Sequence, residues 1–186
     1  MRRSSSIHSF LLPFESIMPQ NLELKARISS MSDAVRAARS LHARSKGILR
    51  QRDVYYHVPH GRLKLRIINT CAAELIFYNR PNKKGYRYSD YCVLPVSNPK
   101  LTNAFCTAAF SQKVVVEKKR RLYLYKNARI HLDDVRGLGA FIEFEVLVKY
   151  GKRQAQMLLK FLSAQFEIER SATVAVSYSD LLLRAR

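Results

Sequence analysis

Stretch after stretch of this chain alternates an apolar residue with a charged one. In NLELKARI, residues 21–28, Leu22, Leu24, Ala26 and Ile28 share one side while Asn21, Glu23, Lys25 and Arg27 share the other. A period of two belongs to the β-strand, so the pattern predicts a sheet with one apolar and one polar face. DVYYHV at 53–58, RLKLRII at 62–68, ELIFYNR at 74–80, KVVVEKKRRLYLY at 113–125, the ARIHLDD region at 129–134 and AFIEFEVLVK at 140–149 also read as strands. Pro59-His60-Gly61 predicts a tight turn, Asn127 the return from one strand to the next, and Gly137-Leu138-Gly139 another turn. Helical spacing is confined to three places. Ser32 or Asp33 caps a helix to about His42, Asn98-Pro99 opens one over 98–110, and 152–165 is amphipathic through Met157, Leu158, Phe161 and Leu162. The polar stretch 81–92 reads as a loop, and 173–183 as a last strand plus a helical turn. The sum is one α+β domain dominated by antiparallel strands.

The 186 residues suit one domain, or one domain and a short tail. Lys and Arg total 33 against 14 Asp and Glu, a formal +19, which points to a polyanionic partner: nucleic acid, a phosphorylated metabolite or anionic lipid. No RRM, KH or helix-turn-helix pattern favours nucleic acid, and no apolar run of about 18 residues provides a membrane span. Cys71, Cys92 and Cys106 are scattered and odd in number, which fits a reducing compartment better than a disulfide scaffold. Residues 1–17 are basic, Ser-rich and acid-poor. They read either as a disordered tail ahead of a start at Met18, with a cytoplasmic protein, or as a transit peptide, with a mitochondrial one.

The polar faces hold few of the Ser, Thr and Gln that a solvated sheet would mix in. The strands offer Glu23, Lys25 and Arg27; Arg62, Lys64 and Arg66; Glu74, Tyr78 and Arg80; Arg129, His131 and Asp133; and Glu143 with Glu145. Like charges two residues apart on a strand lie about 7 Å from each other. Two arrangements accommodate them. On an open sheet they are surface ion pairs. In a closed barrel they become a cationic lumen that traps phosphate, with the acids serving as hard oxygen ligands for Mg²⁺ or Mn²⁺.

Asn21-Leu22-Glu23-Leu24-Lys25 resembles the E-x-E-x-K signature of the CYTH superfamily, the triphosphate tunnel metalloenzymes. Gln51, Asp53, VPHGRLKLR at 58–66, ELIFYNRP at 74–81, SDY at 89–91, VVVEKKRRLYLY at 114–125, RIHLDDVRGLGAFIEFEV at 129–146 and YSDLL at 178–182 follow in the family's order and resemble its class IV adenylyl cyclase-like branch. The resemblance covers Met18 to Leu182 and implies an eight-stranded antiparallel β tunnel, open at both ends and flanked by helices.

It also implies roles. Glu23, Glu143 and Glu145 match metal-associated carboxylates, and Lys25, Lys64, Arg66, Arg80 and Arg129 match the basic lumen. Asp133 matches a lumen acid near the reacting phosphate, so Lys25 and Asp133 stand as the catalytic pair. The family's K-x-R falls on Lys118 and Arg120, although their parity with Val114, Val116, Leu122 and Leu124 favours an apolar face; a bulge that flips the strand would reconcile the two. One departure stands out: Asn21 occupies the place of the first signature Glu, which predicts a weaker hold on metal and reduced activity.

The implied function is a divalent-metal-dependent hydrolase of a triphosphate-containing small molecule, inorganic or organic. A class IV adenylyl cyclase is the first alternative, and a polyanion-binding module with lapsed catalysis the second. Monomer and homodimer both remain open. His57 and His60 read as loop histidines rather than zinc ligands, His131 as either a phosphate contact or a structural group, and Tyr86, Tyr88 and Tyr91 as loop packing or a base-stacking platform.

Overall fold

In the computed structural model, residues 18–185 are described. The reading of 1–17 as a leader or tail lies outside them. Twelve elements follow in chain order: β1 (Gln20–Arg27), α1 (Met31–Ser40), β2 (Arg44–Tyr56), β3 (Arg62–Ile68), β4 (Ala72–Asn79), β5 (Arg87–Pro95), α2 (Pro99–Phe110), β6 (Gln112–Tyr125), β7 (Ala128–Val135), β8 (Gly139–Leu147), α3 (Lys152–Gln165) and α4 (Tyr178–Arg184). The strands close into an antiparallel barrel in the order β1-β5-β4-β3-β2-β6-β7-β8. None of the described helices is long and apolar enough to cross a membrane.

Closure explains the alternation. β1 is buried on both faces from Asn21 to Ala26, because its apolar side lies under helices and its polar side turns into the lumen. Leu22, Leu24 and Ala26 pack with Ile130, Leu132, Ile142, Phe144 and Val146 beneath Ala34 and Ala38 of α1 and Ala155, Leu159 and Leu162 of α3. Across the barrel, Cys106 of α2 packs on Val54, Tyr56, Leu65 and Ala73, and Tyr56 donates to Asn103 Oδ1 at 3.0 Å.

A third apolar layer fills one end of the barrel. Tyr55, Val114, Val116, Val135, Phe141 and Tyr178 pack together there, with Leu138, Leu181 and Leu182 against them. Arg62 ties α4 to β3 through Asp180 at 3.1 Å, and Arg87 donates to the Val174 carbonyl at 2.9 Å. The lumen is therefore not open at both ends as expected; it is a well with a floor.

Several boundaries differ from the sequence reading. Ser30, not Ser32 or Asp33, caps α1 by accepting from the Asp33 amide at 3.2 Å, and the helix stops at Ser40. β2 begins at Arg44 rather than 53, since its polar first half is held by β6 and not by burial. The loop over 81–92 contains the start of β5, which alternates among polar residues and is held by β1 and β4 on its two sides. The closing segment makes only an isolated bridge, Thr173 to Ala26, before α4. β6 needs no flip: Val114, Val116, Lys118 and Arg120 are all buried on the same side, apolar at the floor and cationic above it. Its irregularities against β2 fall outside that run, between Ser45 and Ile48 and between Tyr55 and Tyr56.

The β2–β3 turn depends on Gly61, at φ +64°, where an added Cβ would lie 2.7 Å from the Phe77 ring and 2.9 Å from the Tyr78 carbonyl oxygen. At Gly85, φ +80°, a Cβ would meet nothing within 4 Å. Gly61→Ala is expected to destabilise the fold by about 2–4 kcal/mol, combining positive φ with overpacking, and Gly85→Ala by only about 1 kcal/mol. Urea denaturation of both variants checks this, and equal losses would contradict it.

Candidate functional site

Inward-facing side chains reach a cavity of about 250 Å³ that contains every cation the sequence placed in the lumen: Lys25, Lys64, Arg66, Arg80, Lys118, Arg120 and Arg129. The strand register sets their neighbours. Asp53 lies opposite Arg66, Glu145 lies between Glu23 and Arg129, and Glu143 lies between Lys25 and His131.

Two acids gather the cations. Asp53 accepts from Lys64 Nζ at 3.1 Å, Lys118 Nζ at 2.7 Å and the Arg66 fork at 2.8 and 2.9 Å. Asp133 accepts from the Arg120 fork at 2.7 and 2.6 Å and from the Tyr178 hydroxyl at 2.9 Å. Forks of this kind fix a guanidinium in one plane. Arg120 then reaches Glu143 at 3.3 Å, which Lys25 also meets at 3.2 Å. Arg80 pairs with Glu23 at 2.8 Å, and Arg129 with Glu145 at 2.8 Å. Exposure marks the open end, where the Arg129 side chain is 42% exposed against 4% for Lys25.

Burial governs the protonation of these groups. It pulls the Lys64 ammonium down to about 7 and that of Lys25 to about 8. It pushes Asp53 up, but Arg66, Lys118 and Lys64 overcome it and hold the carboxyl well below its ordinary value. Against the same burial, Lys25 and Arg120 hold Glu143 well below the usual range. Glu23 goes the other way, raised by burial and by Glu145 and Glu143 in spite of Arg80.

The expected metal carboxylates converge on one side. His131, Glu143 and Glu145 can each present a ligand atom within 4.8 Å of one another, and Glu23 faces Glu145 directly across the β1–β8 pair. The repulsion that raises Glu23 is what a bound dication would relieve, and carboxylate oxygens suit a hard ion. The buried Nδ1 of His131 lacks a hydrogen-bond partner, as does the buried Oδ1 of Asn21, which lines the same cavity. These residues fit a divalent metal ion.

Asp133, expected beside the reacting phosphate, does not line the cavity. It is fully buried and its carboxylate is engaged by Arg120 and Tyr178. Tyr88 lies outside the cavity, accepting from Gln156 of α3 at 3.1 Å, whereas Tyr91 lines it beside Arg129. Sequence reasoning did not single out Asp53 as a site residue, though its alternation with Gln51 and Tyr55 carries the signal. It also left out Arg87, buried on β5 with its Nε and Nη2 unpartnered. Tyr55, Tyr78, Ser89, Ser177 and Tyr178 complete the wall and floor.

A family model for the CYTH domain matches residues 19–178. No curated protein matches the chain. Among solved structures, PH1012 of Pyrococcus horikoshii OT3 is similar over 87% of this chain and 98% of its own, at 22% identity and a TM-score of 0.76. A Vibrio parahaemolyticus protein provisionally described as an adenylate cyclase is 16% identical over 88% of this chain and 97% of its own, TM-score 0.71. HpAC1 of Hippeastrum, provisionally an adenylyl cyclase and described as having a dominant triphosphatase activity, is 12% identical over 89% of this chain and 96% of its own, TM-score 0.66.

Lys64 gives the site a pH signature. An unfolded chain holds this proton up to about pH 10.5, the folded one only to about 7. Between those values the unfolded state binds more protons, so the Lys64 contribution to stability rises with pH. The melting temperature of the free protein is expected to climb above pH 7 more steeply than that of Lys64→Met. Parallel profiles for the two proteins would refute the assignment.

Proposed function

The chain belongs to the CYTH domain family, and from that premise we propose that it is a divalent-metal-dependent hydrolase of triphosphates. The observation that carries this reading is the convergence of seven cations, Lys25, Lys64, Arg66, Arg80, Lys118, Arg120 and Arg129, on one blind cavity. Its volume of about 250 Å³ lies below the range of about 300–1,000 Å³ usual for small-molecule pockets. That size favours a compact phosphate chain over a whole nucleotide.

Charge balance supports the metal. Glu23, Asp53, Glu74, Glu143 and Glu145 also line the cavity, leaving the wall a net +2. That is less than the charge of a triphosphate, and a dication makes up the difference. Glu143, Glu145 and Glu23, with His131 beside them, would hold it; once bound, the ion supplies positive charge to phosphate oxygens and acidifies a water.

The chain's own residues do the rest. Lys25 and Arg120 donate to phosphate oxygens where negative charge develops, in a site dry enough to strengthen each bond. Lys64, Arg66 and Lys118, fixed by Asp53, grip the remaining phosphates. Asp133 and Tyr178 act through Arg120 by holding its guanidinium still, so Asp133 is a positioning residue in this scheme.

A class IV adenylyl cyclase would use the same grip on ATP, with the ribose 3′-hydroxyl attacking the α-phosphate. The buried acceptors of Asn21 and Gln51, both without partners in the cavity wall, favour keeping this reading, since a ribose can donate to them and tripolyphosphate cannot.

With Mg²⁺ or Mn²⁺, orthophosphate is expected from tripolyphosphate, and chelation should abolish it. Cyclic AMP and pyrophosphate from ATP, without orthophosphate from tripolyphosphate, would establish the cyclase instead; tight binding without turnover would establish a binding module. Arg120→Met is expected to slow hydrolysis by about 10²–10³-fold. Asn21→Glu adds a carboxylate beside Glu23 and should tighten the metal and raise the rate; no gain in either would clear Asn21 as a lesion.

A further inference from the structure

The cavity wall carries only +2, whereas the chain carries +19. Much of the difference lies on the outside of the barrel, and one part of that outside is built unlike an ordinary solvated surface. On the outer face of the β2–β6 pair, Arg50 lies directly opposite Lys119, and Arg121 follows two residues along β6. All three are exposed. Like charges directly opposite on an antiparallel pair repel. Nearby, Arg52 and Arg136 share Glu117, but among the described residues no ion pair engages Arg50, Lys119 or Arg121, although Asp134 sits opposite Lys119 on β7.

The strand lengths place this surface. β3 pairs with β2 only as far as Gln51 opposite Ile68, whereas β2 runs back along β6 to Arg44. A register shift between Ser45 and Ile48 puts Arg44 opposite Leu124, on the other side of the strand from Arg50. This rim stands beside the open end of the well, since Leu49 and Leu122, the chain neighbours of Arg50 and Arg121, line the cavity.

From these observations we infer that the outer rim formed by Arg50, Lys119 and Arg121 is a docking surface for the phosphodiester backbone of a nucleic acid. Cations two residues apart on a strand stand about 7 Å from each other, a spacing close to that of successive phosphates along a strand. Neutralising phosphates in this way is the sequence-independent part of nucleic-acid binding. Ile48, 52% exposed, is the one large exposed apolar side chain between Arg44 and Arg52. A lipid surface would call for a broader apolar face to insert, and base stacking would call for exposed aromatic rings; the rim has neither. The surface is distinct from the phosphate-binding lumen, and the inference does not depend on the proposed hydrolysis.

The test is fluorescence anisotropy of a labelled DNA duplex of about 20 base pairs, titrated at several salt concentrations. Each phosphate contact contributes about −0.9 to the slope of log affinity against log salt. The triple variant Arg50→Gln, Lys119→Gln, Arg121→Gln is expected to flatten that slope by about 3 and to weaken binding at least about tenfold at 0.1 M salt. Tripolyphosphate binding should be unchanged, because none of the three lines the cavity. A second triple variant, Arg39→Gln, Arg153→Gln, Lys160→Gln, removes the same charge from α1 and α3 and should keep the slope. Arg50→Gln alone removes one member of a repelling pair, so it should melt no lower than the parent while still weakening binding. Equal losses in the two triple variants would reduce the effect to net charge and overturn the proposal. So would an unchanged slope in the first variant, or capture on phosphatidylserine vesicles without duplex binding.

Discussion

When a sheet with one charged face closes on itself, that face has nowhere to turn but inward, and the charges collected there must answer one another. Asp53 does most of this for the cations near the floor, holding Lys64, Arg66 and Lys118 at 2.7 to 3.1 Å. At an effective dielectric of 20, two unit charges 4 Å apart interact by about 4 kcal/mol, so three buried cations without their acid would oppose folding by more than one apolar contact restores. Asp133 does the same for Arg120. The lumen is thus electrically ordered by the chain's own residues. Its cations are desolvated, oriented and restrained by acids that the strand register brings to them.

The sheet that makes this possible was legible in the chain to an uneven degree. β1 and β3 announced themselves because one face is mostly apolar and the other mostly charged; parity grouped Glu23 with Lys25 and Lys64 with Arg66, and the family resemblance turned those faces inward. On β6 parity was also right, but for a reason the sequence concealed. Val114, Val116, Lys118 and Arg120 share a face because the lumen itself changes character with depth, apolar at the floor and charged above. A pattern that assigns one polarity to each face has no place for such a gradient, and inventing a bulge was the cost of that assumption.

β5 shows the other limit. Arg87, Ser89 and Tyr91 face the barrel while Tyr88, Asp90 and Cys92 face away, so neither side is apolar enough to stand out. What holds it is pairing on two sides, a non-local property that a local window does not contain. Arg87 was lost with the strand. Asp53 was lost for a different reason: a lone acid among tyrosines looks incidental until the register with β3 and β6 brings three cations to it. Its importance lies in who its neighbours are, and they come from 11, 13 and 65 residues away.

The floor laid by Tyr55, Phe141 and Tyr178 has a kinetic meaning as well as a structural one. A chamber with a single doorway serves arrivals and departures through the same opening. Two bodies seated one behind the other in such a vessel leave in the reverse of the order in which they entered.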